Sequence, residues 1–412
     1  MGKPQPLSGI RLALALAFLG LVGLVAALLF VGRPTPTVIV ISLDGTTPKD
    51  VNTPELATLT ALAQRGAVAR KLVPVFPTND FPNHATLATG VAPEVHGIVG
   101  FEFLGSEGLF RYSSDPTWFQ AEPIWSIADR HDVVSAAFHW IGSEGPWIHG
   151  RGARYWKPWN AEIDEATKVA QILEWLDVED PKARPRLITS WFRGADATGH
   201  QYGPGSEEVL VALRLQDEAL GRLVAGLDAR GAFEHTTLLL VSDHGILPVQ
   251  EQVDLAQAFE TRGLRVRTFG EGGSVRLSAA EPDLDRALEV AESLGLEAYR
   301  RNGAPADLPA AVRLDNPRFG DAVVLAPPGI AIGSSDPDAP VTRGAHGYLP
   351  DVPEMSGFFM AVGRGITPGT QLPDVSAVDV APTVLTLLGI PVPRAMEGRP
   401  IAGVARPAGD AQ

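Results

Sequence analysis

The sequence predicts an α/β fold: a doubly wound, mostly parallel sheet sandwiched by helices, with a small inserted subdomain. Short runs rich in β-branched and other apolar residues alternate with helical periodicities along the chain, the pattern of a parallel sheet covered on both faces. Several of these runs end in Asp, His or Gly, the residue types that gather at the carboxyl ends of strands in open α/β sheets. At 412 residues, 45% of them hydrophobic, the chain is ample for a sizeable core.

Taken in order, "TVIVISLDG" (37–45) reads as a buried parallel strand closed by an Asp-Gly turn. "TPELATLTALAQRG" (53–66) follows with a Thr cap, helical periodicity and a terminal Gly. Strands are expected at 133–140, 186–194 and 236–245, and helices at 161–177 and 206–230. Residues 262–340 change in texture, with short strands in "GSVRLSA" and "DAVVLAP" around a helix near 283–294, and read as the inserted subdomain. The chain then returns to the sheet with "GFFMAVG" (357–363) and a helix at 375–389. The domain is expected to span 37–403, and residues 404–412 to form a disordered tail.

Residues 12–31 carry no charge and no proline, a length able to cross the hydrocarbon layer as a helix. Lys3 and Arg11 precede the run and Arg33 follows it, so residues 1–11 are expected in the cytoplasm. The expected arrangement is an uncleaved membrane anchor, a linker at 32–36 and an extracytoplasmic domain; a cleaved signal peptide is the alternative. No cysteine is present, which excludes disulfides and thiolate metal sites. A formal charge of −14 without any Lys/Arg block argues against bulk nucleic acid as a partner.

Four segments end in hard or borderline metal ligands: Asp44, then Asp196 with His200, then Asp243 with His244, and His346 in "RGAHGYLP". Singly, each has an ordinary explanation as a turn or a solvated side chain. Together, three carboxylates and three imidazoles suit two zinc ions with open coordination positions. The i,i+4 spacing of Asp196 and His200 presents both to one ion, and Gly199, Gly245 and Gly347 permit tight backbone beside the histidines. Ser143 lacks a nucleophile-elbow context, and "GEGGS" (270–274) has neither P-loop nor dinucleotide spacing.

The ordered set "LDG…PTNDFPNHATLATG…HGIVG…DATGHQYGP…SDHG…AHGY" resembles the nucleotide pyrophosphatase/phosphodiesterase family of the alkaline phosphatase superfamily. The resemblance extends over roughly residues 37–400, through "VDVAPTVLTLLGIPVPRAMEGRP", and implies the alkaline phosphatase type of fold. It further implies one zinc on Asp196, His200 and His346 and another on Asp44, Asp243 and His244. It also implies a small phosphate-ester substrate, such as a nucleotide or lipid-headgroup diester. "FHWIGSE" and "YWKPWN" are similar to the family stretches "WPGS" and "KPYN", and Phe81 matches the aromatic that stacks on the base in nucleotide-specific members. His84 and His96 match scaffold positions of the motif.

Two positions depart from that pattern, P-T-x-T-F-P-N-H followed by H-G-I-x-x-N. The second Thr is the family's nucleophile, and here it is Asp80; the Asn donates to a phosphoryl oxygen, and here it is Phe101. Two Zn²⁺ against Asp44, Asp196 and Asp243 leave a charge of +1, and Asp80 cancels it. Three roles stay open for Asp80: covalent nucleophile, bridging ligand or general base beside zinc-activated water, and the mark of an inactive zinc-binding scaffold. Thr78 offers a substitute hydroxyl or, more simply, a cap for the following helix.

Overall fold

The computed structural model describes residues 35–303, 308–334 and 342–405. The expected membrane span at 12–31, the stretch 1–11 before it and most of the linker lie outside the described residues. Among the described residues no helix is long and apolar enough to cross a membrane.

Strand Thr37–Leu43 forms the middle of the architecture because every residue in it is buried and side chains alternate between two apolar layers. Val38 and Val40 enter one core and Ile39, Ile41 and Leu43 the other, the period-2 arrangement of a strand covered on both faces. The sheet has eight strands, in the order 370–372, 67–69, 359–363, 236–241, 37–43, 187–192, 135–138 and 155–157. All pairings are parallel except the two made by Phe359–Gly363, which runs against Thr236–Val241 on one side and Ala67–Ala69 on the other. Helices pack on both faces, with Val380–Leu388 in one layer and Glu165–Leu176 and Glu207–Ala229 in the other.

The expected elements are present in shortened form, and the capping of two helices differs from the sequence reading. Helix Ala57–Arg65 is not started by Thr53. Its N-cap is Leu56, which offers no side-chain bond, and the free N–H groups of Thr58 and Leu59 donate instead to the buried Asp217 carboxylate at 2.9 and 2.8 Å. A carboxylate there also complements the positive end of the helix. Helix Asp80–Thr89 is likewise not capped by Thr78, whose hydroxyl donates to the Tyr348 carbonyl at 2.9 Å and accepts from the Gly347 N–H at 3.1 Å. Thr78 is thus fully buried and engaged, which removes it as a substitute nucleophile. The helix at 375–389 begins as a 3-10 turn, Ala377–Asp379, and becomes α-helical at Val380–Leu388.

The insert is a four-stranded antiparallel sheet in the order 266–269, 274–279, 322–325 and 297–300, backed by helix Asp283–Ser293. Its strand Ser274–Ala279 reaches the functional end of the main sheet twice. The Gly273 N–H donates to the His346 carbonyl and the Ser274 hydroxyl to the Gly347 carbonyl, at 2.8 and 2.7 Å. Arg276, buried, donates to the carbonyls of Val99 and Glu102 at 2.9 and 3.0 Å. At the other end of the chain, Val404 and Ala405 are buried, so the ordered domain runs past the expected boundary at 403, and the rest of the expected tail lies outside the described residues.

Asp217→Ala should destabilise the protein by about 1–2 kcal/mol, because two helix N–H groups lose a charged acceptor. Denaturant unfolding of the two proteins measures this; equal midpoints would show that water replaces the carboxylate at no cost.

Candidate metal centre and substrate site

The central strands deliver their functional groups at their carboxyl ends, as open α/β sheets do. Asp44 directly follows strand Thr37–Leu43, and Asp243 and His244 lie just past Thr236–Val241. Asp196 opens the short helix Asp196–Tyr202 beyond strand Leu187–Phe192, and His200 sits one turn later on the same face. His346 follows the two-residue strand Gly344–Ala345, which pairs with Leu247–Pro248. Gly194 lets the segments meet: its φ is +55°, and a Cβ there would lie 2.0 Å from the Asp44 carbonyl oxygen.

The structure brings all six expected ligands and Asp80 into one site. His244 Nε2 lies 3.3 Å from Asp243 Oδ2, 3.4 Å from Asp80 Oδ1 and 3.7 Å from Asp44 Oδ1. On the other side, Asp196 Oδ1 lies 3.3 Å from His200 Nε2 and 3.6 Å from His346 Nε2. Among the described residues, two groups have ligand atoms within 4.8 Å of one another: Asp44, Asp80, Asp243 and His244, and Asp80, Asp196, His244 and His346. His200 joins the second group through Asp196, with its ring 4.8 Å from that of His346. Asp80 and His244 belong to both, a shared place expected for Asp80 as a bridging ligand but not for His244, which the sequence assigns to one set.

The chemistry of these donors fits cations. Each imidazole commits Nδ1 to an oxygen: His200 to the Gly344 carbonyl at 2.8 Å, His244 to the Gly245 carbonyl at 3.1 Å, His346 to Asn79 Oδ1 at 3.1 Å. An N–H pinned in this way fixes the tautomer and turns Nε2 toward the centre, as supporting partners of metal-binding histidines do. Asp44 Oδ1, Asp196 Oδ1, Asp243 Oδ2 and His244 Nε2 are buried without any hydrogen-bond partner. Buried polar atoms are ordinarily paired, and carboxylate oxygens left bare in this number call for a positive ion.

Without that ion two of the imidazoles, His244 and His200, carry the positive charge. Burial alone would lower them, but the carboxylates beside them outweigh it and push His244 up to about 10 and His200 up to about 9. Burial and the neighbouring His244 charge push His346 down to about 4. Burial and the charges of Asp243, Asp80 and Asp196 push the Asp44 carboxyl well above its ordinary value. Burial acts the same way on Asp80, yet His244, 3.4 Å from its Oδ1, and the other nearby imidazoles hold its carboxyl below the usual range.

Supporting residues that the sequence reading missed hold these groups in place. The Trp191 indole donates to Asp44 Oδ2 at 2.9 Å, and the Gly45 N–H donates to Asp243 Oδ1 at 3.3 Å. His84, read as scaffold, donates Nδ1–H to the Asp80 carbonyl at 2.9 Å and lies 3.3 Å from Asp243 Oδ2. His96 is also internal scaffold, bonded to the Thr86 hydroxyl and the Ile98 N–H. Asn79, the N-cap of helix Asp80–Thr89, uses its side chain for His346 rather than for the helix.

An aromatic wall adjoins the centre. Phe81 is buried and meets Trp191, Phe110 and Tyr112 edge-on, at 6.4, 6.0 and 5.9 Å between centroids. Phe101 stacks on Tyr112 at 5.0 Å. Tyr112 is 61% exposed, as is 45% of Trp159, whose ring leans on Trp191 at 4.9 Å. Phe101 therefore completes an apolar surface where the family pattern has a polar donor. Only exposure, which the sequence does not print, marks Tyr112 and Trp159 as available to a ligand.

Residues 38–349 match the family model described as type I phosphodiesterase / nucleotide pyrophosphatase. The chain belongs to this family. An uncharacterized pyrophosphatase/phosphodiesterase of Schizosaccharomyces pombe is 37% identical over 225 residues, 52% of this chain and 46% of that protein. Venom phosphodiesterase 2 of Crotalus adamanteus is 36% identical over 188 residues, 44% of this chain and 23% of that protein. Human ectonucleotide pyrophosphatase/phosphodiesterase family member 1 is 32% identical over 223 residues, 52% and 24% of the two chains. The matched segment thus spans less than half the length of each of these relatives. Murine ectonucleotide pyrophosphatase/phosphodiesterase 5, 24% identical, superimposes with a TM-score of 0.79 over 87% of this chain and 96% of its own. An inactive variant of that murine protein is also solved in complex with AMP. The fold is the alkaline-phosphatase-like α/β fold of these enzymes.

The raised histidines set a pH dependence for the metal-free protein. A pKa higher in the folded state than in the unfolded one contributes stability below about pH 6.5 that is lost as pH rises through the folded values of about 9 and 10. Chelator-stripped protein should therefore melt at progressively lower temperature from pH 7 to 10, and zinc should remove most of that slope. A melting temperature flat across this range in stripped protein would show that the histidines stay neutral.

Proposed function

We propose that this chain is a two-zinc hydrolase of phosphate esters, acting on phosphodiesters or pyrophosphates. The observation that carries the reading is the set of three imidazoles, each with Nδ1 pinned and Nε2 facing bare carboxylate oxygens. Zinc accepts this nitrogen and oxygen donor set. Asp44, Asp243 and His244 would hold one ion and Asp196, His200 and His346 the other, with Asp80 reaching both. Bound zinc would supply Lewis-acid polarisation of the phosphoryl group and activation of an attacking water.

The residues of the chain set the rest of the chemistry. Trp191, His84 and Asn79 orient Asp44, Asp243 and His346, so the donors are fixed before a substrate arrives. Trp159 and Tyr112 offer exposed rings on which a planar leaving group can stack, which favours a base-bearing ester such as a nucleotide over a lipid headgroup. The AMP complex of the murine relative agrees with that choice. No hydroxyl takes the family's nucleophile position, and Thr78 is occupied elsewhere, so attack by water is favoured over a covalent route. The same substitution favours a second reading, a catalytically impaired zinc-binding scaffold of this fold.

The two readings separate on purified protein loaded with zinc and given chromogenic diesters, monoesters and a dinucleotide. Hydrolysis of a diester that His346→Ala lowers by about 10²-fold or more, the scale of losing a metal-supporting ligand, supports the hydrolase. Two bound zinc ions without turnover of any ester supports the scaffold.

The uncharged run at 12–31 extends the proposal to location: a single N-terminal helix would hold the domain on the extracytoplasmic side of a membrane. The full chain should sediment with membranes and resist carbonate extraction. Release of a soluble product beginning near Arg33 would establish a cleaved signal instead.

A further inference from the structure

We propose that Asp80 is an internal anion that selects the charge of the substrate: it excludes phosphate dianions, and so monoesters and free phosphate, in favour of monoanionic diesters. The inference rests on the two-cation reading above and deepens it.

Position is the first support. Asp80 opens helix Asp80–Thr89, and its two carboxylate oxygens face different rings, Oδ1 at 3.4 Å from His244 Nε2 and Oδ2 at 3.9 Å from His346 Nε2. It belongs to both groups of ligand atoms. Its side chain is 19% exposed, beside Asp196 at 17% and His200 at 33%, whereas those of Asp243 and His244 are closed off, so it stands with them at the open edge by which an anion would approach. The bare atoms behind it, Asp44 Oδ1, Asp243 Oδ2 and His244 Nε2, are buried and aimed at the same space.

Charge is the second. Two divalent cations against Asp44, Asp196 and Asp243 leave +1 to attract an incoming anion, and a fourth carboxylate cancels it. Coulomb energy scales with the product of charges, so the unit removed costs a dianion twice what it costs a monoanion. The discrimination comes from repulsion, the means by which specificity is often built.

The wall is the third. A monoester presents an additional charged oxygen that needs a donor. At the position beside Phe81 the chain offers the Phe101–Tyr112 stack, which has a ring face and no donor from Phe101. An unpaired charged oxygen against such a surface is costly, whereas the second ester group of a diester is not.

The experiment uses the full-length chain, wild type, Asp80→Asn and Asp80→Ala. Bound zinc is counted by elemental analysis first. Calorimetry then measures binding of inorganic phosphate and of dimethyl phosphate at pH 8. The expected result is two zinc ions in all three proteins, phosphate bound about tenfold more tightly by both variants, and dimethyl phosphate tightened by only about threefold, the square root of the phosphate gain that the two-to-one charge ratio sets. Phosphate affinity unchanged in the variants, or equal tightening for both anions, overturns the proposal. Loss of a zinc ion from the variants also overturns it, since Asp80 would then be a required ligand. Failure of wild type to bind zinc overturns the two-cation reading itself, and the elemental analysis identifies that case.

Discussion

Four carboxylates, Asp44, Asp80, Asp196 and Asp243, meet at the end of the central strands, and their mutual repulsion is the constraint around which the rest of the site is arranged. Like charges in a space this small, shielded from water, cannot all remain ionised without positive partners. His244 and His200 supply that charge in the metal-free protein, which is why their protonation follows the carboxylates rather than their burial. The same arrangement explains the donors placed around the rim. Trp191, the Gly45 N–H and Asn79 bind the outward atoms of the ligands and leave the inward atoms bare. A site built only for stability would have paired those atoms with one another.

The strands carry this constraint mechanically. Thr37–Leu43, Leu187–Phe192 and Thr236–Val241 are adjacent and parallel, so their carboxyl ends lie side by side and three of the four carboxylates converge without long loops. His346 has no such support, since it comes from beyond the insert. Its backbone is fastened by Gly273 and Ser274, and the same insert strand sends Arg276 to the loop that carries Phe101. The insert thereby sets both one ligand and one wall of the substrate site.

Much of this was legible in the sequence, for physical reasons that differ by residue. The central strands announce themselves because a strand buried on both faces is apolar throughout. Asp44, Asp243 and His244 stand out because a polar residue just after such a run needs an occupation, and Asp196, His200 and His346 because they complete a set of donors in glycine-flanked segments. The direction of Phe359–Gly363 was not legible, since an apolar run reads the same in a parallel or antiparallel pairing. Nor was the capping of helix Ala57–Arg65 by Asp217, a partner more than 150 positions away that local propensity cannot anticipate. Thr78 misled because a hydroxyl before a helix is usually a cap, and here the loop at 347–348 competes successfully for it. The sharing of His244 between two ligand groups required coordinates, because spacing along the chain assigns each ligand only once.

The replacement at position 80 is tolerable because the cage does not depend on it. Asp44, Asp243, His200 and His346 are each oriented by partners from other elements, and none of those hydrogen bonds passes through the Asp80 side chain. What position 80 contributes to the scaffold is its backbone, whose carbonyl accepts from His84. Any residue at the start of that helix supplies the same carbonyl, so the side chain is free to change while the ligands stay in register. A hydroxyl there gives a site that attacks with its own oxygen and keeps a net positive charge once two dications are bound. On the proposed reading, a carboxylate there gives up the attack and the charge together and leaves the ligands where they were. On that reading the chemistry of this site is thus divided between a cage that the fold fixes and one side chain at its edge, Asp80, that selects which anions the cage admits.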